Sequence, residues 1–286
     1  MSWNLHWFPD GVPGHKGAGR DLAWLGCVLA WLQPDVLAVQ EVKQSRDADQ
    51  ALQTLLRELN RRSGGRYVAQ LDDCGRRVPQ HVGLIWNQAR ATASHLQTVA
   101  ELNPHGAPCE SQLRPGLAAQ FRLRGGLDLV VVSAHFKSMA DERAFGLRRA
   151  SFQAVPGLMR RLTSAARDSD FLLLGDLNTM GCDACAPVVS GLEEVAELTQ
   201  QLRRSGVRLV PADAAGTERY RGRLTLLDHA LASATLRELA PSAQSHVTGA
   251  CAAGAAPLSE RAAKRLRRQL SDHCPLVLDL TDRDWD

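Results

Sequence analysis

Long apolar runs are absent from this chain. No stretch approaches the roughly 18 residues of a membrane-spanning helix, and no basic segment followed by an apolar one opens the sequence. As given, the chain reads as soluble, with no stable membrane insertion. Lysine is scarce: of 34 basic residues only Lys16, Lys43, Lys137 and Lys264 are lysine. Arginine forks suit phosphate, but the same bias arises from genome composition and carries little weight alone. The net charge is only +3 and aromatics make up only 5%, so the basic, aromatic-rich surface usual in nucleic-acid enzymes is not evident. No period of 20 to 50 residues recurs, which excludes a solenoid. Among seven cysteines, Cys182 and Cys185 form a C-x-x-C with no second pair at zinc-ribbon spacing, which argues against structural zinc. That pair reads as a short disulfide or as free thiols, with Cys27 and Cys274 as core fillers.

What is present is ordinary globular material. Apolar residues at 44% and charged residues at 23% support a large core, and no stretch has linker composition, so residues 1–286 are expected to form one domain. The first strand begins at Met1 with no lead-in, as if upstream residues had been lost. The compartment is therefore open between cytoplasmic and secreted with an upstream signal, and a monomer is expected.

The chain alternates strands and helices. Residues 2–8, SWNLHWF, read as a short strand with Asn4 a polar residue in its middle. Residues 18–32 place Leu22, Leu25, Val28, Leu29 and Leu32 at helical spacing until Pro34 stops them. Residues 35–41, DVLAVQE, are a buried strand ending in Glu41, completing a strand–helix–strand unit. A helix is expected over 47–62, then strands over 67–71, 81–86, 116–123 and 127–135, with a Pro- and Gly-rich loop over 103–112. The run VVVSAHFKS ends in His135, Lys137 and Ser138. A helix over 141–166 carries Pro156 as a candidate break, and another covers 191–204. LTLLDHALAS, 224–233, reads as a strand with Asp228 and His229 at its centre; an Arg-rich helix, 259–270, leads into a last strand over 271–280.

Residues 171–178, FLLLGDLN, organise this pattern. Four apolar residues and Gly175 form a strand buried on both faces that runs out into a turn presenting Asp176 and Asn178. Alone, these two could be ordinary turn formers. They are not alone, because other apolar strands deliver Asn4, Glu41 and, at the start of the last one, the Asp272–His273 pair, and His135 and Asp228 join them. Burying so many carboxylates is costly unless a cation or protonated partner neutralises them, so one shared site is the economical reading. Oxygen donors without cysteine point to Mg²⁺ or Mn²⁺. His81 and His229 read as structural histidines, and Asp72–Asp73 and the Arg265–Arg268 run as solvated surface.

The motifs WN (Trp3-Asn4), VQE (Val39 to Glu41), SAHFKS (Ser133 to Ser138), GDLN (Gly175 to Asn178), LDHAL (Leu227 to Leu231) and SDHCP (Ser271 to Pro275) follow one another along nearly the whole chain. In this order they resemble the successive motifs of the endonuclease/exonuclease/phosphatase superfamily, the deoxyribonuclease I-like group. The resemblance implies an α/β fold: a four-layer sandwich of two mostly antiparallel β-sheets flanked by helices. It also implies a divalent cation held by Glu41 with Asn4 and Asp272 near it, and Asp176 and Asn178 on the attacking water. His273 would sit on the scissile phosphate, oriented by Asp228, with His135 on the opposite side. Arg114 and Lys137 are candidate phosphate contacts, although arginines are common enough here that a surface role for Arg114 is nearly as good a reading. A hard cation, a carboxylate and paired histidines are what phosphodiester hydrolysis needs.

The function expected is thus metal-dependent phosphodiester hydrolysis, foremost by a nuclease of endonuclease type on DNA or RNA. The alternative is a small-molecule or lipid phosphodiesterase or phosphatase of the same superfamily. A non-catalytic binding module fits less well, since all six motifs keep chemically competent residues.

Overall fold

The computed structural model describes residues 1–14, 19–106, 109, 113–220 and 222–285; Lys16 and much of the expected 103–112 loop lie outside them. The first half runs β1 (Ser2–Phe8), α1 (Leu22–Leu32), β2 (Val36–Val42), α2 (Arg46–Ser63), β3 (Tyr67–Leu71), β4 (His81–Asn87), β5 (Ala91–Val99), β6 (Gly116–Leu123) and β7 (Asp128–His135). The second runs α3 (Glu142–Ala166), β8 (Phe171–Asp176), α4 (Gly191–Arg203), β9 (Val207–Val210), β10 (Glu218–Tyr220), β11 (Arg223–Thr225), β12 (Asp228–Ser233), β13 (His246–Val247), α5 (Glu260–Gln269) and β14 (Leu276–Val277). Each α-helix starts after an Asp or Ser whose side chain accepts an N–H of the first turn: Asp21, Ser45, Asp141, Ser190 and Ser259. Asp21 is why α1 opens at Leu22 and not at residue 18 as the apolar spacing predicts.

Two six-stranded sheets, ordered β13-β14-β1-β2-β4-β3 and β5-β6-β7-β8-β12-β9, pack face to face. Each is antiparallel except for one central parallel pair, β1/β2 in the first and β7/β8 in the second. Leu84, Trp86, Phe121, Val131, Leu172 and Leu174 fill the space between the sheets, and the Trp86 and Phe121 rings meet there edge to face at 5.8 Å. The outer face of the first sheet is sealed by α1 and α2 through Leu25, Leu29, Leu55 and Leu59. Phe152, Val155 and Leu158 of α3 and Leu198 and Leu202 of α4 seal the second. This is the four-layer α/β sandwich the resemblance implies.

The period of two along β8 positions the chemistry. Leu172 and Leu174 point between the sheets while Phe171 and Leu173 point at the helices, so Asp176 falls on the inter-sheet face at the strand's end. The same parity puts Asn4 opposite Trp3 and Leu5, His135 in line with Val131, and Asp228 in line with Ala230 and Ala232. Gly175 is required by close approach: a Cβ there would lie 1.9 Å from the Ala134 carbonyl oxygen.

Several expectations change. Pro156 does not break α3, which runs on through it; Phe152, Val155, Leu158 and Leu162 bury one face, and that burial outweighs the roughly 3 kcal/mol an internal proline costs. Residues 224–233 split into β11 and β12, so Asp228 opens a strand and does not sit mid-strand. Of 271–280 only Leu276–Val277 is strand, and Asp272 and His273 precede it in a loop. The edge strand β5 was not expected, because its ATASHLQTV sequence is polar and mostly solvated. Asp72 is buried, accepting from His81 Nδ1 and from the N–H groups of Cys74 and Val82. Cysteines pair as Cys74–Cys109, Cys182–Cys185 and Cys251–Cys274; Cys274 is thus a disulfide partner, and Cys27 is an exposed thiol and no core filler. Among the described residues no helix is long and apolar enough to cross a membrane.

One buried ion pair ties the loops behind the strand ends. Arg148 of α3 donates to Glu194 Oε1 at 2.9 Å and Oε2 at 3.1 Å, and to the carbonyls of Lys137, Met139 and Gly181. Arg148→Met leaves Glu194 buried without its counter-charge, so urea unfolding should show a loss of about 3–5 kcal/mol. A loss under about 1 kcal/mol would mean that Glu194 finds another partner.

Candidate active site

The ends of the two parallel pairs face each other across the top of the sandwich. On the second sheet, strand register aligns His135, Asp176 and Asp228 in one row across β7, β8 and β12. On the first, β1 and β2 both leave regular pairing here, the register shifting between Asn4 and Phe8 and between Val39 and Val42. His6, Trp7, Glu41 and, across the gap, Asn178 all take positive φ, at 47°, 55°, 60° and 51°. Such backbone costs about 1–3 kcal/mol per residue and tends to cluster at functional sites. Its effect on β2 is to turn Glu41 toward the row.

Asp176 Oδ2 is the meeting point. It accepts from Asn4 Nδ2 at 2.9 Å and lies 3.4 Å from His135 Nε2 and 3.7 Å from His273 Nε2. Asn4 Nδ2 also reaches Glu41 Oε1 at 3.2 Å, and Glu41 Oε2 accepts the Trp7 N–H at 3.0 Å. His273 caps the row with Nδ1 on Asp228 Oδ2 at 2.7 Å. Asn178 receives its orientation locally: its N–H donates to Asp176 Oδ1 at 3.0 Å and its Nδ2 to the Phe136 carbonyl at 3.2 Å. Beneath lies a polar layer, Gln40 bonded to Ser2 and Ser133, and then the apolar core.

The surroundings push the two histidine pKa values in opposite directions. Burial opposes imidazolium at His273, but the charges of Asp228 and Asp176 and the Asp228 hydrogen bond outweigh it and raise its pKa well above 6.5. At His135 burial acts together with the positive charge of Arg114, His273 and Lys137 and lowers the pKa well below 6.5. Burial also pushes the Asp176 carboxyl up to about 8, with His273 opposing and Asp228 and Glu41 adding to the rise. The carboxylates of Glu41 and Asp176 and the imidazole of His135 offer ligand atoms within 4.8 Å of one another, a mixed oxygen and nitrogen set that fits a divalent cation.

Asp272 stands to one side of this group. Burial would raise its pKa, but the hydrogen bond and charge of His6, with His273 and Arg267, bring it down to about 2. Its Oδ1 is 2.7 Å from His6 Nδ1 and its Oδ2 is 3.2 Å from Arg267 Nε. Arg267, taken from sequence as solvated, thus reaches the site and also lies over the Tyr220 ring at 4.6 Å. Arg114 donates to Gln80 Oε1 and the Phe136 carbonyl, and its charge is felt by His135. Lys137 is half-buried on the same side, its ammonium pKa lowered by burial and then by Arg114. Sequence reasoning missed His6, whose even spacing from Asn4 was the available signal, and Arg20, which donates to the His6, Arg267 and Arg268 carbonyls. His229, set aside as structural, hydrogen-bonds Thr179 Oγ1 at 2.8 Å.

Solved structures share this architecture. An endonuclease/exonuclease/phosphatase from Bacteroides vulgatus superposes with a TM-score of 0.63 at 14% identity, covering 98% of this chain and 97% of that one. A mannosyl-6-phosphatase from Bacteroides thetaiotaomicron gives 0.62 at 15% identity, with 98% of each chain covered. A 3′-phosphatase from Neisseria, bound to a product DNA hairpin, gives 0.59 at 20% identity, covering 99% and 98%. At these identities the likeness is one of fold. No curated protein sequence matches the chain. The sequence model of the Endonuclease/Exonuclease/phosphatase family, in contrast, matches residues 1–273. Sandwich, converging strand ends and family match agree: the chain belongs to the endonuclease/exonuclease/phosphatase family of phosphoester hydrolases.

Proposed function

We propose that this chain is a one-domain, Mg²⁺- or Mn²⁺-dependent phosphodiesterase, a nuclease of endonuclease type acting on DNA or RNA. The observation that carries this is the His135–Asp176–Asp228 row capped by His273, in which Asp176 Oδ2 lies 3.4 Å from His135 Nε2 and 3.7 Å from His273 Nε2. Glu41 would hold the cation, with Asn4 and Asp272 beside it. When bound, the cation supplies positive charge to the non-bridging phosphate oxygens. Asp176 accepts a proton from the attacking water as its oxygen bonds phosphorus, the opposite P–O ester bond breaks and the leaving alkoxide takes a proton from solvent; Asn178, braced by the Phe136 carbonyl, keeps that water in line. His273 donates from Nε2 to the phosphate while Asp228 holds Nδ1. His135 donates from the other side, with Arg114 and Lys137 adding positive charge at the phosphate.

A polyanionic substrate is supported by cations on the helix that leads into the site: Arg267 lies beside Asp272, and α5 exposes Arg261, Arg265 and Arg268, with Lys264 paired to Glu260. The three disulfides favour an oxidising compartment outside the cytoplasm.

Hydrolysis of bis-p-nitrophenyl phosphate should therefore require Mg²⁺ or Mn²⁺, stop in EDTA and return on adding either metal. Glu41→Gln should raise the Mg²⁺ concentration for half-maximal rate by about 10-fold or more, as loss of a charged ligand does. Full activity after exhaustive chelation, or rescue by Zn²⁺ alone, would contradict the assignment.

A further inference from the structure

His273 and Asp228 come from segments 45 residues apart, and one residue that belongs to neither motif touches the backbone of both, with its side chain on one and its carbonyl on the other. Thr217, fully buried, accepts the N–H of Asp228 at 2.9 Å and of Leu227 at 3.1 Å on its hydroxyl oxygen. Its carbonyl accepts the N–H of Cys274, the residue after His273, at 2.7 Å, and its own N–H donates to Thr225. The flanking residues continue the contact: Glu218 forms a β-bridge with His273, and the Arg219 N–H donates to the Asp272 carbonyl. Gly216 lets the chain pass this close, since a Cβ there would lie 2.7 Å from the Thr225 nitrogen.

The Cys251–Cys274 disulfide closes the arrangement from behind. It ties the His273 loop to the single helical turn Gly249–Cys251, and Cys251 Sγ lies 3.4 Å from the Thr217 carbonyl oxygen. As a disulfide sulfur it has no proton to donate, so this is packing contact. Both cysteines are buried in the inter-sheet core.

We propose that Thr217 is the positioning residue of the Asp228–His273 pair, with the Cys251–Cys274 disulfide as its strut. Thr217 touches no reacting atom. It sets the separation of two groups whose hydrogen bond charges and aims the imidazole, and errors of about 1 Å in such geometry can cost on the order of 10²-fold in rate. The inference rests on the proposed catalytic role of His273 and Asp228.

The test uses the oxidised full chain with bis-p-nitrophenyl phosphate and Mg²⁺. Thr217→Val keeps the shape and removes the acceptor, so kcat should fall by about 10-fold or more with KM within about 2-fold, and Thr217→Ser should restore the rate to within about 3-fold. In an Asp228→Asn background, Thr217→Val should cost less than about 2-fold further, because residues that act through one another are non-additive. An unchanged kcat in folded Thr217→Val, or losses that multiply with Asp228→Asn, would overturn the proposal. Should Thr217→Val not fold, Cys251→Ala carries the test: kcat should fall at constant KM, and a parental kcat in that folded variant overturns the strut. His273→Ala, run alongside, separates the two levels. If it leaves turnover intact, the site reading fails; if it abolishes turnover while Thr217→Val does not, only the positioning role fails.

Discussion

Asp228→Asn should reproduce most of the rate loss of His273→Ala, and the double variant should be little slower than either single one. The 2.7 Å contact between His273 Nδ1 and Asp228 Oδ2 makes the pair one unit, and residues acting as a unit lose their function once. A buried imidazolium without a counter-charge is disfavoured by burial, and here Asp228 and Asp176 overcome that penalty. Removing the charge at 228 lowers the His273 pKa, so the protonated form is lost at lower pH. The alkaline limb of the pH–rate profile should therefore move toward acid in Asp228→Asn, while the limb set by other groups stays in place. Steady-state kinetics from pH 5 to pH 10 on the four proteins of the cycle would measure both effects. Losses that multiply in the double variant would mean that the two residues act separately.

Asp176→Ala should lower turnover by on the order of 10² or more, the usual cost of removing a positioned acid–base group. The fold should not suffer. Burial and neighbouring carboxylates raise the Asp176 pKa to about 8, so at pH 7 in the absence of a cation ionising it opposes folding, and alanine removes that cost. Melting at or above the parental temperature together with a collapsed kcat is the expected pair of results. A variant that melts like the parent and turns over normally would reduce Asp176 to a turn residue.

Much of this was legible because strands carry a period of two. FLLLGD places Asp176 on the same face as Leu172 and Leu174, and the strand that ends in His135 and the one that opens at Asp228 repeat that parity. Periodicity gave the opening strand–helix–strand unit, and the four-layer sandwich came from the resemblance that the six ordered motifs carry. What escaped depends on partners distant in sequence. Asp72 reads as a surface acid until His81 returns beside it, and the role of His6 shows only once Asp272, far along the chain, meets its ring. Thr217 has no local signature, since its four hydrogen bonds run to residues from 225 to 274. Cysteine pairing is of the same kind: the spacing of Cys182 and Cys185 suggested a bond, while Cys251 and Cys274 meet only through the packing of the sandwich.

The substrate reading is the central claim, and supercoiled plasmid tests it most directly. Incubated with the parent protein and Mg²⁺, plasmid should pass to nicked circles and then to linear fragments, and should stay supercoiled with EDTA or with Asp176→Ala. Plasmid that survives intact while p-nitrophenyl phosphate, a monoester, is hydrolysed in the same buffer would contradict the account and assign the site to a phosphatase.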